Sequence, residues 1–271
     1  MMHKSSDMHF VCSNYRTSQK TRSFRLRQQN GFTLLEIAIM LVIIGLTIGG
    51  VVAGQELLTS ARVRTLISQQ EDIKIAFLGF RDRFRALPGD YDAASINIFC
   101  TPACSNGDGN GLITGITDTP AAPINEYIAV WEHLSNAGFI NGNYSYAAIN
   151  GPTSTPMFMF GQYPTLKYDA VYSGTASARH NLKTGNQIPS HILAEVDRKV
   201  DDGYATTGSY RFSAFAPSTS GTGIVVSRDS STGLGLDPST PTGPGSCYSA
   251  TGPSYWSEAS SASNCGAASL I

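Results

Sequence analysis

Between residues 32 and 53 almost every side chain is apolar or small, and a single one, Glu36, is charged. A helix of that length spans about 30 Å at roughly 1.5 Å per residue, which is the thickness of a bilayer's hydrocarbon core. The pattern predicts a membrane-crossing helix. An ionised side chain inside such a segment costs about 3 kcal/mol or more, so Glu36 is a candidate functional residue, since nothing in anchoring calls for a carboxylate there. Gly45 and Gly49, then Gly50 and Gly54, give two Gly-x-x-x-Gly spacings that permit close helix approach. The same glycines weaken the helix by about 1 kcal/mol each, which marks a place where it could bend or locally melt. Further along, apolar residues fall into a helical stripe, Leu66, Ile73, Phe77, Phe80, Phe84 and Leu87, ended by Pro88-Gly89. One helix of residues 32–87 results, with Glu71, Asp72, Lys74, Arg81, Asp82 and Arg83 on its solvated face.

Residues 88–271 predict one globular head. A helix is expected at residues 125–137, with Tyr127, Ile128, Trp131 and Leu134 on a buried face and Gly138 as its stop. Another is expected at 190–202, burying Ile192, Leu193, Val196 and Val200 and stopping at Gly203. Strands are expected at 157–160, 166–172, 209–215 and 223–227, where aromatic and β-branched residues are bounded by Gly, Pro and Ser. The fold class is α+β, an antiparallel sheet laid on the long helix. Residues 230–253, rich in Gly, Ser, Thr and Pro, read as an exposed loop.

Charge and cysteine usage change this picture at both ends. Six basic residues (Lys4, Arg16, Lys20, Arg22, Arg25, Arg27) and one acid, Asp7, precede Phe32, a bias that retains residues 1–31 on the cytoplasmic side as a basic leader. Met8 is an alternative start. No Ala-x-Ala-like site follows the apolar run, which argues against a conventional secretory peptide. Without the leader, 13 basic and 19 acidic residues remain, a formal charge of −6 that offers no general basic patch for nucleic acid. Cys12 belongs to the leader, whereas Cys100, Cys104, Cys247 and Cys265 form an even set in a region expected outside the cytoplasm. Of three connectivities, the local one, Cys100 with Cys104 and Cys247 with Cys265, is expected. The cysteines lack the second tight pair or nearby His that a zinc site requires.

The run Gly31-Phe32-Thr33-Leu34-Leu35-Glu36 behind a basic leader resembles the prepilin-type cleavage and methylation motif of type IV pilins and type II secretion pseudopilins. The resemblance implies a pilin-like fold in which a prepilin peptidase cuts after Gly31 and methylates the amino group of Phe32. It also implies that Glu36 neutralises the terminal amine of a neighbouring subunit inside a filament, a pair strengthened by a low-dielectric core. The partners it implies are the inner membrane, the prepilin peptidase and other subunits. The head would lie in the periplasm and then in a pilus or pseudopilus. The segment closed by Cys247 and Cys265 resembles the C-terminal disulfide region of many pilins. Leu87-Pro88-Gly89-Asp90, the Gly-Asp-Gly-Asn-Gly run, Trp131-x-His133-Leu134 and Asp197-x-Lys199-x-Asp201-Asp202-Gly203 look like a recurrent set in larger prepilin-like proteins, with no activity attached.

One segment carries site chemistry of its own. Residues 106–113 match the first half of a calcium loop, in which Asn106, Asp108 and Asn110 supply oxygens and a glycine takes the sharp turn. Thr117 stands where a bidentate Glu is needed, so Asp118, Glu126 or carbonyl oxygens would have to complete the shell. The alternative is a Gly- and Asn-rich turn with no ion. Enzymatic motifs are absent: His133, His180 and His191 have no metal-ligand spacing, and no nucleophile elbow or phosphate loop occurs. Asp201 and Asp202 are expected to exchange charge with Arg198 or Lys199. Three function classes follow: a filament subunit, minor rather than major given the large head; a filament-tip binding module, with calcium ordering the Asp108 loop; and a membrane-anchored periplasmic enzyme.

Overall fold

A computed structural model describes residues 31–115, 124–175, 177–185, 187–213, 247–249, 254–257 and 265–271. The chain divides into two units, Met1–Val51 and Val52–Ile271. Helix α1, Leu34–Phe84, contributes to both.

In the first unit every described residue is exposed, and α1 is long and apolar enough to cross a membrane. Its backbone stays helical through Gly45, Gly49, Gly50 and Gly54, so the local melting these glycines invite does not occur. Nothing lies within 4 Å of where their side chains would stand.

In the second unit α1 turns amphipathic. Val63, Leu66, Gln70, Ile73, Ala76, Phe77 and Phe80 are buried, the 3.6-residue stripe that the sequence predicts. The helix ends at Phe84, three residues before the expected stop. Arg85 takes a left-handed conformation (φ 56°), and Pro88 disfavours helix at the residue before it. A single turn, α2 (Ala94–Asn97), follows in a stretch where no helix was expected.

Helix α3 (Glu126–Asn136) ends as its sequence requires. Gly138, at φ 81°, lets its own N–H bond the Ser135 carbonyl (3.0 Å) and the Phe139 N–H bond the Leu134 carbonyl (2.9 Å), a Schellman stop. Trp131 is fully buried, as expected. The amphipathic reading of α3 needs correction, because Glu126, Glu132 and His133 are buried along with its apolar residues. Helix α4 (Ser190–Val200) buries Ile192, Leu193 and Val196, while Val200, expected on that face, is exposed at the helix end.

Four strands, β1 (Thr165–Asp169), β2 (Arg179–Lys183), β3 (Tyr210–Phe212) and β4 (Ala267–Leu270), form an antiparallel sheet in the order β1-β2-β4-β3. The layout is α+β. β1 and β3 fall where strands were expected. The 157–160 strand does not form, because Phe158 and Gln162 close on each other (2.8 Å) around Gly161 at φ 75°, so backbone groups pair within the segment. The expected 223–227 strand lies outside the described residues, as does most of the 230–253 loop. β2 and β4 escape sequence reading: Arg-His-Asn-Leu-Lys holds one aliphatic residue, and Ala-Ala-Ser-Leu has little β propensity.

Register sorts the sheet into two faces. Leu166, Leu182, Tyr210 and Ala267 join the core, and Phe77 of α1 meets His180 at 6.0 Å between ring centroids. The opposite face is polar, and Lys183 and Asp169 pair there at 2.5 Å with both side chains buried. Both cysteine pairs sit at disulfide distance, with Cα atoms 5.2 Å apart for Cys100 and Cys104 and 5.7 Å for Cys247 and Cys265.

Candidate functional site

Two places carry the expected site residues, and each belongs to one unit. At the start of α1, Thr33 Oγ1 accepts the Glu36 N–H (3.2 Å), which is half of a Thr-x-x-Glu capping box. The other half would be an acceptor contact from the Glu36 carboxylate back to the Thr33 N–H. That carboxylate has no hydrogen bond or ion pair among the described residues. Capping therefore uses the Glu36 backbone and leaves its charge unspent, beside exposed Gly31 and Phe32.

In the second unit, residues 90–92, 106–114 and the first turn of α3 build an acidic loop. Gly107 and Gly109 donate to the Tyr91 and Asp90 carbonyls, each at 2.9 Å, which draws the two segments together. A side chain at Gly107 would stand 2.2 Å from the Asp90 carbonyl carbon, so this approach admits glycine alone. Asp90 then accepts the Asn110 and Gly111 N–H groups at 2.9 Å each, and Glu126 accepts those of Asp108 (3.2 Å) and Thr114 (2.9 Å). As a result Asp90, Asp108 and Glu126 each place a carboxylate oxygen within 4.8 Å of the others.

Of the expected calcium ligands, this arrangement unites Asp108 and Glu126 and adds Asp90, which the sequence marked only as the end of the Leu87-Pro88-Gly89-Asp90 run, with no ligand role. The carboxamide oxygen of Asn106 accepts the Ser95 N–H (2.8 Å), and that of Asn110 accepts the Leu112 N–H (2.7 Å). Asp118 lies outside the described residues. The three acids could hold a cation, because Asp90, Asp108 and Glu126 Oε1 keep lone pairs beyond the hydrogen bonds they accept, whereas Glu126 Oε2 already takes both the Thr114 N–H and the Thr114 hydroxyl (2.9 and 3.2 Å).

Burial pushes Asp90 up to about 7, with the Glu126 charge adding to it and the Gly111 and Asn110 N–H groups opposing. Glu126 is raised as well, by burial first and then by Asp108, against its backbone donors. The rest of α3 clamps the same region. Glu132 accepts the Ser105 and Tyr146 N–H groups (2.8 and 3.0 Å). His133 Nδ1 accepts the Gly89 N–H (2.8 Å) while Nε2–H donates to the Ser105 carbonyl (2.7 Å), so both ring nitrogens are engaged. Burial lowers the His133 pKa, which matches a neutral ring. His180 packs between Phe77 and Tyr168, and His191 is exposed.

A second carboxylate group, Asp197, Asp201 and Asp202, closes the end of α4. The expected charge exchange with Arg198 and Lys199 is not formed, since both pair with Glu195 (2.7 and 3.2 Å) one turn back. Asp201 instead accepts the Ser209 and Tyr210 N–H groups, and Asp202 takes the Tyr204 N–H and the Thr207 hydroxyl. Asp197 accepts from Trp256 Nε1 (2.5 Å), which ties the C-terminal segment to α4.

Comparison of the chain with protein-family models, curated proteins and solved structures finds no match.

The raised Asp90 pKa gives a signed expectation. The folded protein holds this proton more tightly than the unfolded chain, whose value is 3.8. The stability it confers is fully present below about pH 4 and is lost as pH rises to about 7. Asp90→Asn removes the titrating group at the cost of one acceptor. Melts in chelator should show a shallower decline between pH 4 and 7 for the variant than for the parent; parallel profiles would contradict the assignment.

Proposed function

We propose that this chain is a subunit, minor rather than major, of a type IV pilus or type II secretion pseudopilus, processed by a prepilin peptidase and assembled through α1. What supports the reading is the start of that helix: an apolar, exposed span with one carboxylate, Glu36, that has no partner among the described residues, shortly after Gly31-Phe32. A carboxylate in so apolar a setting gains most from a cation held in the same low-dielectric place, and the amine exposed by cleavage after Gly31 is one. The head then occupies the periplasm until assembly. Mass spectrometry of protein from a strain with an intact peptidase should return a chain beginning at N-methylated Phe32, and an intact leader would end this reading. Glu36→Ala should insert in the membrane at the parent's level and enter filaments several-fold less, because the intersubunit pair loses one partner. Filament yield equal to the parent's would give Glu36 another role.

A second reading makes the head a binding module at the filament tip whose loop is ordered by calcium. Its supporting observation is the meeting of Asp90, Asp108 and Glu126. Calcium sites of extracellular modules have dissociation constants of about 10⁻⁴ to 10⁻³ M, and this loop is placed among them. An ion that binds the folded state alone raises stability by about 1.4 kcal/mol at ten times that constant. Melts of the full chain in detergent should therefore differ between millimolar calcium and chelator in the parent and coincide in Asp108→Ala. Coincident melts in the parent would leave the loop a turn and remove this reading.

A further inference from the structure

The polar face of the sheet is cationic. Cross-strand pairing sets Lys167, Asp169, Arg179, Asn181, Lys183 and Arg211 on the same side, away from Leu166, Leu182 and Tyr210. Its one acid, Asp169, is engaged by Lys183. At the β3 and β2 margin of this face lies a cavity of about 410 Å³, whose lining includes Tyr172, Thr175, Ser177, Arg179, Ser209 and Arg211. Two guanidinium groups are its only charged side chains, and hydroxyl groups supply the rest of its side-chain polarity.

Arg211 is held in place before any ligand arrives. Its Nε donates to the Gly208 carbonyl (2.8 Å) and Nη1 to the Thr175 carbonyl (3.3 Å), and its guanidinium lies over the Tyr172 ring at 5.4 Å. Gly174, at φ 88°, makes this possible: a side chain there would stand 1.9 Å from the Thr206 carbonyl oxygen and 3.3 Å from Nη1. Of five guanidinium N–H groups, the two bonds to carbonyls leave donors over. The Arg179 guanidinium has no hydrogen bond or ion pair among the described residues. Ile271 also lines the cavity, and its terminal carboxylate makes no ion pair with either guanidinium among the described residues. A fixed guanidinium binds an oxyanion without losing rotamer freedom, and its planar fork matches carboxylate and phosphate alike.

From this geometry we infer that the cavity is a binding site for a sugar that carries an oxyanion, a uronic acid or a sugar phosphate. Arg179 and Arg211 hold the anion, and the hydroxyl-lined remainder accommodates the ring. The volume lies in the range of small-ligand sites and exceeds what a bare carboxylate or phosphate fills. The site belongs to the head and does not rest on the filament reading.

The test uses the full chain in detergent, melted with sodium glucuronate, glucose 6-phosphate or methyl glucoside at ionic strength equalised with sodium chloride. A saturable rise in Tm with either charged sugar, absent with methyl glucoside, is expected, and which of the two acts identifies carboxylate or phosphate. Arg179→Gln, an exposed position that leaves the core intact, should weaken the effect at least about tenfold, the scale of one charge-assisted hydrogen bond. Arg211→Lys keeps the charge, loses the fork, and should weaken it too. No shift, an equal shift in Arg179→Gln, or an equal shift with methyl glucoside would overturn the inference.

Discussion

Burial of the stripe from Val63 to Phe80 on α1 is the constraint on which the head depends. Phe77 and Phe80 are almost wholly buried, and the aromatic neighbours of Phe80 come from four places: Phe84, Tyr91, His133 and Phe139. Loop, helix and sheet thus share one apolar surface, and each segment is positioned by fitting to it. Gly79 shows how tight the fit is, since a side chain there would stand 2.9 Å from the Phe139 ring. Close packing of this kind makes small changes of volume costly, as the interior has no slack to absorb them.

The head solves a second problem with charge. Residues 89–114 contain little regular structure, so their backbone N–H groups need partners other than a ladder. Asp90, Glu126 and Glu132 supply them, each acid accepting from at least two backbone donors. Asp201 does the same for the segment after α4. Buried carboxylates are thereby used where a larger fold would use strands, and the raised pKa values of Asp90 and Glu126 are the electrostatic consequence.

What the sequence discloses and what it hides follow from range. The long helix, the stop at Gly138, the buried Trp131 and two of the strands are written in local patterns of three to four residues or of alternation, whereas α4 ends at Val200, before its expected stop at Gly203. β2 and β4 are not, because Arg179 to Lys183 is held between the preceding β1 and the distant β4, and both partners of Ala267 to Leu270 lie far back in the chain. The same division runs through the acidic loop. Asp108 announces itself by its flanking glycines, whereas Asp90 joins it through a contact that only Gly107 permits, and no spacing rule reports such a contact. Asn106 and Asn110 fit the spacing of a cation loop, yet their oxygens serve the neighbouring backbone, a competing use that residue type alone does not reveal.

The short lobe between Tyr91 and Gly107 is closed at its base by the Gly107 to Tyr91 hydrogen bond and crossed by the Cys100 and Cys104 pair. Phe99 stands almost fully exposed on it. A protease that cut the lobe between those two cysteines would leave both fragments tethered by sulfur. The Asp90 carboxylate would still clasp Asn110 and Gly111 below the cut. With that pair oxidised, the lobe can be nicked without releasing a fragment.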